Sequence, residues 1–412
     1  MTKLIHTADV HLDSPLKSLA LRDPDLREHV MTATRTAFAR IVDAALDEEV
    51  AAVLIAGDLF DGAERSARTG AFLTAQLDRL RAAGIKVYYI KGNHDAENPI
   101  TGELTLPDNV HVFTGHGGKD QLAHNIFVHG VSFSGKHAPE SLLPKFPAPV
   151  PGAVNIAMLH TSLAGAAGHD VYAPCTLADL SAMGFDYWAL GHVHKRQLHS
   201  EAPWIVMPGC PQGRDMGEAG PKSATLIEIS DHDNRITSVS EISTSIARLS
   251  ADNFNLSDLA TTDAVRDALR AHVRRLAAAS DAEITILRLT FTGATPLRWQ
   301  MVRDRDVWEE TAREMARDTG TLWIEKVAFD LSDPLAAPSS SATDDLARLM
   351  DDLRAEPGFQ GQLRVEMEAL LSELPASRRA ALLPDAATAE SLTDEIARAG
   401  AHSILARMKG VS

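Results

Sequence analysis

Ala51-Ala52-Val53-Leu54-Ile55-Ala56-Gly57-Asp58-Leu59-Phe60-Asp61 places an apolar run of strand length directly before a glycine and two carboxylates. A short apolar run of this kind reads as a strand buried on both faces. Gly57 marks a turn, and Asp58 and Asp61 follow at the strand's carboxyl end, where ligand sites form in open α/β sheets. The arrangement recurs in both directions along the chain. Lys3–Ala8 reads as a strand before Asp9-Val10-His11, and Ile85–Ile90 as one before Gly92-Asn93-His94-Asp95. Val154–Leu159 precedes His160, and Tyr187–Leu190 precedes Gly191-His192-Val193-His194.

Between the first three strands, Phe38, Ile41, Val42 and Ala45 recur at helical spacing, as do Leu73, Leu77 and Leu80 before Gly84. Asn125–Ser132, Trp204–Met207 and Ala224–Ile229 add further strands, and Pro144–Pro151 reads as a surface loop. The expectation is an α/β layered domain with a mixed sheet over residues 1–245.

Residues at i and i+2 of an extended stretch point the same way, so Asp9 with His11, or His192 with His194, can grip one cluster from two points. Glycines before Asp58, Asn93 and His192 let the backbone turn sharply and come close to bound ions. Carboxylate, imidazole and carboxamide donors together suit manganese, iron or zinc better than magnesium or calcium. Two such ions about 3.5–4 Å apart can bridge a hydroxide nucleophile and stabilise both oxygens of an in-line displacement. A lone Asp-x-His or Gly-Asp pair is commonplace; the joint occurrence, each behind an apolar strand, carries the reading. His6, His29, His116, His124, His129, His137, His169 and His199 read instead as surface or packing residues, with His129 in Phe127-Val128-His129-Gly130 the one to watch.

The 412 residues are 45% hydrophobic and 23% charged, which excludes a disordered chain and suggests two or three domains. No apolar run approaches the roughly 20 residues that span a bilayer. The opening Met1-Thr2-Lys3-Leu4-Ile5-His6 turns polar too soon for a signal peptide. Cys175 and Cys210 are the only cysteines, too few for a disulfide framework or a thiolate metal cluster, so a cytoplasmic location is expected, with no membrane partner. The net charge of −16 opposes nucleic-acid binding unless cations are concentrated locally.

Asp9-x-His11, Gly57-Asp58-x-x-Asp61, Gly92-Asn93-His94-Asp95, His160 and Gly191-His192-x-His194 resemble the calcineurin-like metallophosphoesterases. Over the N-terminal half the chain looks like the nuclease subunit of bacterial SbcCD, and as a whole it is similar to the YhaO-type DNA repair exonucleases. The opening His6-Thr7-Ala8-Asp9-Val10-His11-Leu12-Asp13-Ser14-Pro15-Leu16 and the loop Pro208-Gly209, Gln212-Gly213-Arg214, Glu218-Ala219-Gly220-x-Lys222 carry that narrower likeness. The resemblance implies one metal on Asp9, His11, Asp58 and His194, and a second on Asp58, Asn93, His160 and His192, with Asp58 bridging. It places His94 at the scissile phosphate, to protonate the leaving oxygen or stabilise the transition state, with Asp95 orienting His94 and Asp61 bracing the Asp58 loop. It implies two manganese ions, cleavage of DNA phosphodiester bonds in repair, an SbcC-like ATPase subunit of the SMC type as partner, and a homodimer. Two departures matter. Gly62-Ala63 stand where serine/threonine phosphatases of this superfamily carry Arg-Gly, which disfavours a protein phosphatase. Asp13 stands where the SbcD pattern has glycine, which puts the DNA contacts near the site in doubt.

Beyond residue 250 the pattern changes. A stripe of Val265, Leu269, Val273 and Leu276, a strand in Glu283–Phe291, a helix through Val307, Trp308, Thr311 and Met315, and a strand Thr321–Phe329 form an α+β capping domain over 250–332. A linker follows at 333–343. The region 344–412 is expected to be helical, with stripes of Leu346, Leu349, Met350, Leu353 and of Leu363, Met367, Leu370, Leu371, Leu374 that either pack on the chain or dock the ATPase. A small-molecule phosphodiesterase or phosphomonoesterase is the competing function, and it would not need these additions.

Overall fold

The computed structural model describes the chain except residues 15–23, 62–65, 99–103, 164–171, 281, 335–341, 376–378, 380–382, 384 and 410–412. Gly62-Ala63, Pro15-Leu16, His169 and most of the expected linker therefore lie outside the described residues. The chain divides into two compact units: Met1–Ser250 with Asp281–Ile286, and Ala251–Ser280 with Leu287–Ser412.

In the first unit the order is β1 (Thr2–Thr7), α1 (Pro24–Asp47), β2 (Ala52–Ala56), α2 (Ala67–Ala82), β3 (Lys86–Ile90), α3 (Asn93–Glu97), β4 (Val110–Val112), β5 (Gly118–Ala123) and β6 (Ile126–Gly130). It continues with β7 (Val154–His160), α4 (Leu177–Ala182), β8 (Tyr187–Gly191), β9 (Gln197–Glu201), β10 (Trp204–Met207), β11 (Ser223–Ser230) and β12 (Arg235–Ser243). Where one mixed sheet was expected there are two, each of six strands, in the orders β12-β11-β1-β2-β3-β4 and β5-β6-β7-β8-β10-β9. Strands β1, β2, β3 and β4 run parallel, as do β6, β7, β8 and β10.

Alternation along each strand explains the layers. Leu54 and Ala56 of β2 pack with Ile156 and Met158 of β7 between the sheets, whereas Val53 and Ile55 turn to the opposite face with Phe38, Ile41 and Val42 of α1 and Leu73 and Leu77 of α2. On the far side of the second sheet, Leu159, Trp188 and Leu190 pack with Leu180 of α4, and Trp188 Nε1 donates to Leu180 O at 3.1 Å. Two helical layers thus enclose two sheets. With both faces covered, the central strands carry apolar residues at consecutive positions, and this is why they were legible. Leu54 has no exposed surface, so Leu54→Ala is expected to cost about 2–5 kcal/mol.

The second unit holds α5 (Thr262–Ala279), α6 (Arg298–Arg303), α7 (Arg305–Arg317) and most of the three-stranded sheet β13-β14-β15 (Ala247–Asn255, Ile284–Ala294, Leu322–Ser332), of which 247–250 and 284–286 fall in the first unit. Val265, Leu269 and Val273 of α5 meet Leu287, Leu289 and Phe291 in its core. Helix α7 buries Trp308, Ala312 and Ala316, while Val307, placed on its stripe from sequence, is 57% exposed. Helices α8 (Ala342–Ala355), α9 (Pro357–Ser372) and α10 (Ala386–Lys409) belong to this same unit. The Trp299 ring of α6 has the Arg298 guanidinium 4.3 Å and the Lys409 ammonium of α10 5.1 Å from its centroid, and it meets His402 edge-on. Leu405 and Ala406 of α10 are buried, yet Leu349, Leu353, Val365 and Leu370 remain exposed. Among the described residues no helix is long and apolar enough to cross a membrane.

Candidate metal centre

The site forms where five parallel strands end. Beyond β1 and β2 the two chains stay zipped: Asp9 N–H donates to Gly57 O at 3.0 Å, His11 N–H to Asp58 O at 3.0 Å, and Leu12 N–H to Leu59 O at 2.9 Å. This pairing carries Asp9, His11 and Asp58 to one edge. Their backbones are left-handed, with φ of 52°, 44° and 52°, and His192 has φ 106°. Such values are uncommon outside glycine, and a cluster of them marks strain held by the surroundings. Two glycines make room. A Cβ on Gly57, at φ 94°, would collide with His160 Nδ1, and one on Gly92 would collide with the Asp58 carboxylate.

All seven residues proposed as ligands come together. Nitrogen and oxygen atoms of Asp9, His11 and His194 lie within 4.8 Å of one another, and so do those of Asp58, His160 and His192. His11 Nε2 is 3.3 Å from His194 Nε2, and His194 Nε2 is 3.7 Å from Asp9 Oδ1. His160 Nε2 is 3.1 Å from Asn93 Oδ1. Asp58 joins the halves, its Oδ2 lying 3.3 Å from His160 Nε2 and 4.0 Å from His11 Nε2. The Asp9 carboxylate also accepts the His192 N–H, at 2.9 and 3.1 Å.

His160 Nδ1–H donates to Ala56 O at 2.9 Å, which turns Nε2 toward the site. Burial disfavours charge on both His160 and Asp58, but each stabilises the other's ion: His160 is drawn up to about 9 and Asp58 lies well below the carboxylate range. His11 is lowered by its burial, with Asp61 opposing the shift. Buried carboxylates and imidazoles facing one another across two adjoining cages fit a pair of divalent cations, whose charge would relieve the crowding.

His94 stands at the rim, with 39% of its side chain exposed. Its N–H donates to Asp58 Oδ1 at 3.0 Å and its ring packs edge-on against His11. Asp95, expected to orient His94, accepts the N–H groups of Phe60 at 3.0 Å and Gly92 at 3.1 Å, and is fully buried. It ties the Asp58 loop to the Gly92 turn, and burial and the Asp58 charge push its carboxyl upward. Asp61, expected to brace that loop, lies 3.5 Å from His11 Nδ1, 3.8 Å from His94 Nδ1 and 3.7 Å from Arg214 Nη1. His11 is the main cause holding the Asp61 carboxyl far below its usual range.

Two residues quoted in the sequence only as part of a loop prove to touch the site. Glu218 Oε1 accepts from His194 Nδ1 at 2.5 Å, and Arg214 Nη2 donates to the same oxygen at 3.0 Å. Burial would raise Glu218, but His194 and Arg214 outweigh it and hold the carboxyl well below its ordinary range. A ligand histidine normally gives its second nitrogen to a carboxylate or carbonyl, and that rule was the available signal. Of the other histidines, His6 and His129 are buried packing residues: His6 spans Tyr187 Oη at 3.0 Å and Leu190 O at 2.9 Å, and His129 reaches Asn155 Oδ1 at 3.2 Å.

A cleft of about 560 Å³ opens over Asp58, His94 and His192, with Lys195 and Lys222 on its wall. Lys222 is 7% exposed, its ammonium 3.4 Å from His194 O.

Residues 2–196 match the calcineurin-like phosphoesterases, a span that includes every proposed ligand, and residues 252–332 match the middle domain of the metallophosphoesterase YhaO. An uncharacterised metallophosphoesterase, YhaO of Bacillus subtilis, is 37% identical over 235 residues, 56% of this chain and 58% of that protein. The DNA double-strand break repair protein Mre11 of Sulfurisphaera tokodaii is 25% identical over 202 residues, 48% of this chain and 50% of that protein. The chain thus spans under two thirds of each of these relatives. A dimetal phosphatase from Danio rerio superposes with a TM-score of 0.35 at 12% identity, over 59% of this chain and 99% of that one. With metal-ligand residues gathered at the strand ends and both matches in sequence order, residues 2–196 form a calcineurin-like phosphoesterase domain and residues 252–332 a YhaO-type middle domain.

Proposed function

We propose that this metallophosphoesterase is a DNA exonuclease or endonuclease that hydrolyses phosphodiester bonds with two manganese ions and acts in repair beside an SbcC-like ATPase of the SMC type. The observation that carries the reading is the cleft: an accessible imidazole, His94, stands at the mouth of two adjoining cation cages, with two lysines on the wall of a chain whose net charge is −16. Local cations are what a polyanion needs to approach such a surface. The similarity to Mre11 proteins supports DNA as the substrate, and the exposed leucines and valine of α8 and α9 support a protein partner.

Bound dications would supply Lewis acidity toward water and neutralise charge on the phosphate. The chain's own residues do the rest. Asp9, His11, Asp58, Asn93, His160, His192 and His194 form the cages. His94 donates a proton to the leaving oxygen, and the ionised Asp61 beside its Nδ1 stabilises the charged imidazolium. Lys195, exposed on the cleft wall, takes a flanking phosphate.

Manganese-dependent digestion of linear duplex DNA, comparing wild type with His94→Ala and Asp58→Ala, tests this directly. Wild type should degrade the duplex and both variants should not. Cleavage confined to a small ester such as bis-p-nitrophenyl phosphate, with or without the ATPase, would replace the nuclease by a small-molecule phosphodiesterase. Binding of DNA by the isolated chain should be weak and should fall steeply with salt.

A further inference from the structure

We propose that Glu218 and Arg214 select the tautomer of His194, and so decide whether the Asp9–His11–His194 cage is open to a cation. The inference rests on the metal-centre reading and is independent of the substrate.

A neutral imidazole carries one proton, so one ring nitrogen donates and the other accepts. His194 Nε2 faces the cage, 3.7 Å from Asp9 Oδ1 and 3.3 Å from His11 Nε2, and must present its lone pair there to hold a cation. Its Nδ1 has two neighbours with opposite demands. Glu218 Oε1, at 2.5 Å, can only accept when ionised, and Arg214 Nη2, at 3.0 Å, can only donate. One nitrogen cannot serve both.

Glu218 resolves the conflict in two ways. It takes the Nδ1–H, leaving Nε2 bare. It also occupies Arg214, whose Nη2 donates to Oε1 at 3.0 Å and whose backbone N–H donates to Oε2 at 2.8 Å. Without Glu218 the guanidinium is left to donate to Nδ1. The ring proton then moves to Nε2, where the Asp9 carboxylate accepts it, and the cage is shut by a proton. Glu218 is a positioning residue, and Arg214 is a lock that Glu218 keeps disengaged. Both lie beyond residue 196, outside the calcineurin-like match.

Histidine 160 shows the alternative. Its Nδ1–H is held by the Ala56 carbonyl at 2.9 Å, a backbone acceptor no substitution removes.

The test is a sign, not only a size. Manganese stoichiometry and affinity are measured by calorimetry on the full chain for wild type, Glu218→Ala, Glu218→Gln and the double variant Glu218→Ala/Arg214→Met. Two-bond proton–nitrogen spectra of the metal-free proteins, with His194 assigned by its loss in His194→Asn, read the tautomer. Glu218→Ala should weaken one of two manganese sites by roughly 10–100-fold, the range for outer partners of metal ligands. Its His194 should switch from the Nδ1–H to the Nε2–H form. The double variant should recover most of the affinity, because the lock is gone. Glu218→Gln, whose amide oxygen still accepts from Nδ1, should fall between wild type and Glu218→Ala and keeps the test open if the alanine variant does not fold. A double variant as weak as Glu218→Ala, or an unchanged tautomer in it, overturns the proposal. Should wild type bind no manganese, the metal reading fails by itself, while the tautomer switch in the metal-free protein still decides this inference.

Discussion

The two halves of the metal centre use the same residue types but fix them differently. In the Asp58–His160 half, the imidazole is oriented by the main chain of β2, and its side chain has no exposed surface. In the Asp9–His194 half, the imidazole is 24% exposed and oriented by the side chains of a loop 24 residues further on. One half is set by a main-chain carbonyl where the two sheets pack together, whereas the other depends on two ionisable residues outside the strands. The first is rigid and tolerates nothing nearby; the second can be adjusted by point changes without disturbing the core.

The largest effect that probes this contrast is expected from Asp58→Ala. Asp58 belongs to both halves, so both ions should be lost, and buried His160 is left without its ion partner. Removing one member of a buried pair costs about 3–5 kcal/mol, which chemical denaturation of the metal-free protein would register. One ion retained at full affinity would show that the halves are not coupled through Asp58.

Next in size is His94→Ala, for which kcat should fall by about 10²–10⁴-fold with two manganese ions still bound. If metal content drops instead, His94 is a ligand, as its proximity to His11 and Asp58 would allow. Gly92→Ala should come third. The new methyl group meets the Asp58 carboxylate, and overpacking of this kind costs roughly 1–3 kcal/mol. A melting temperature equal to wild type would mean the turn is slack and the rigid half is not rigid.

The smallest effect, taken per pH unit, concerns protonation. In the metal-free protein His160 is held up to about 9 against a usual 6.5, so a cation must displace its proton. Affinity of the Asp58–His160 half should therefore rise about tenfold per pH unit from 6.5 toward 9 and then level off. The linkage to stability has the opposite sign. A raised histidine stabilises the metal-free fold fully below 6.5, and that contribution fades as pH climbs through 9. Calorimetric titrations with manganese at pH 6.5, 7.5 and 8.5 would show it; a flat profile refutes the coupling.

Much of this centre was legible because a ligand follows each apolar strand in sequence, three times after a glycine, and the two sheets bring the five strand ends together. What was hidden had physical reasons. Four strands of the second sheet were read, but its edge strands β5 and β9 were hidden because they alternate polar and half-exposed residues with little apolar signal. Glu218 reaches His194 only through tertiary folding. Asp95 was named for its neighbour His94, and its bond to the Phe60 N–H, made only through tertiary folding, carried no sequence signal. The C-terminal stripes were visible as helices, yet their pattern alone did not separate Leu363, which is half-buried, from Leu370, which is 65% exposed.

The left-handed backbone at Asp9, His11 and Asp58 constrains how such an enzyme can be redesigned. Aspartate, asparagine and histidine are the non-glycine residues that enter this region most readily. They are also good donors for borderline metals. An engineer who wants to retune the metal by installing glutamate or cysteine at these positions would be asking the backbone as well as the ion to change. Exchange among aspartate, asparagine and histidine is the accessible alphabet here, and a library restricted to those three letters should retain folded members where a fully random one does not.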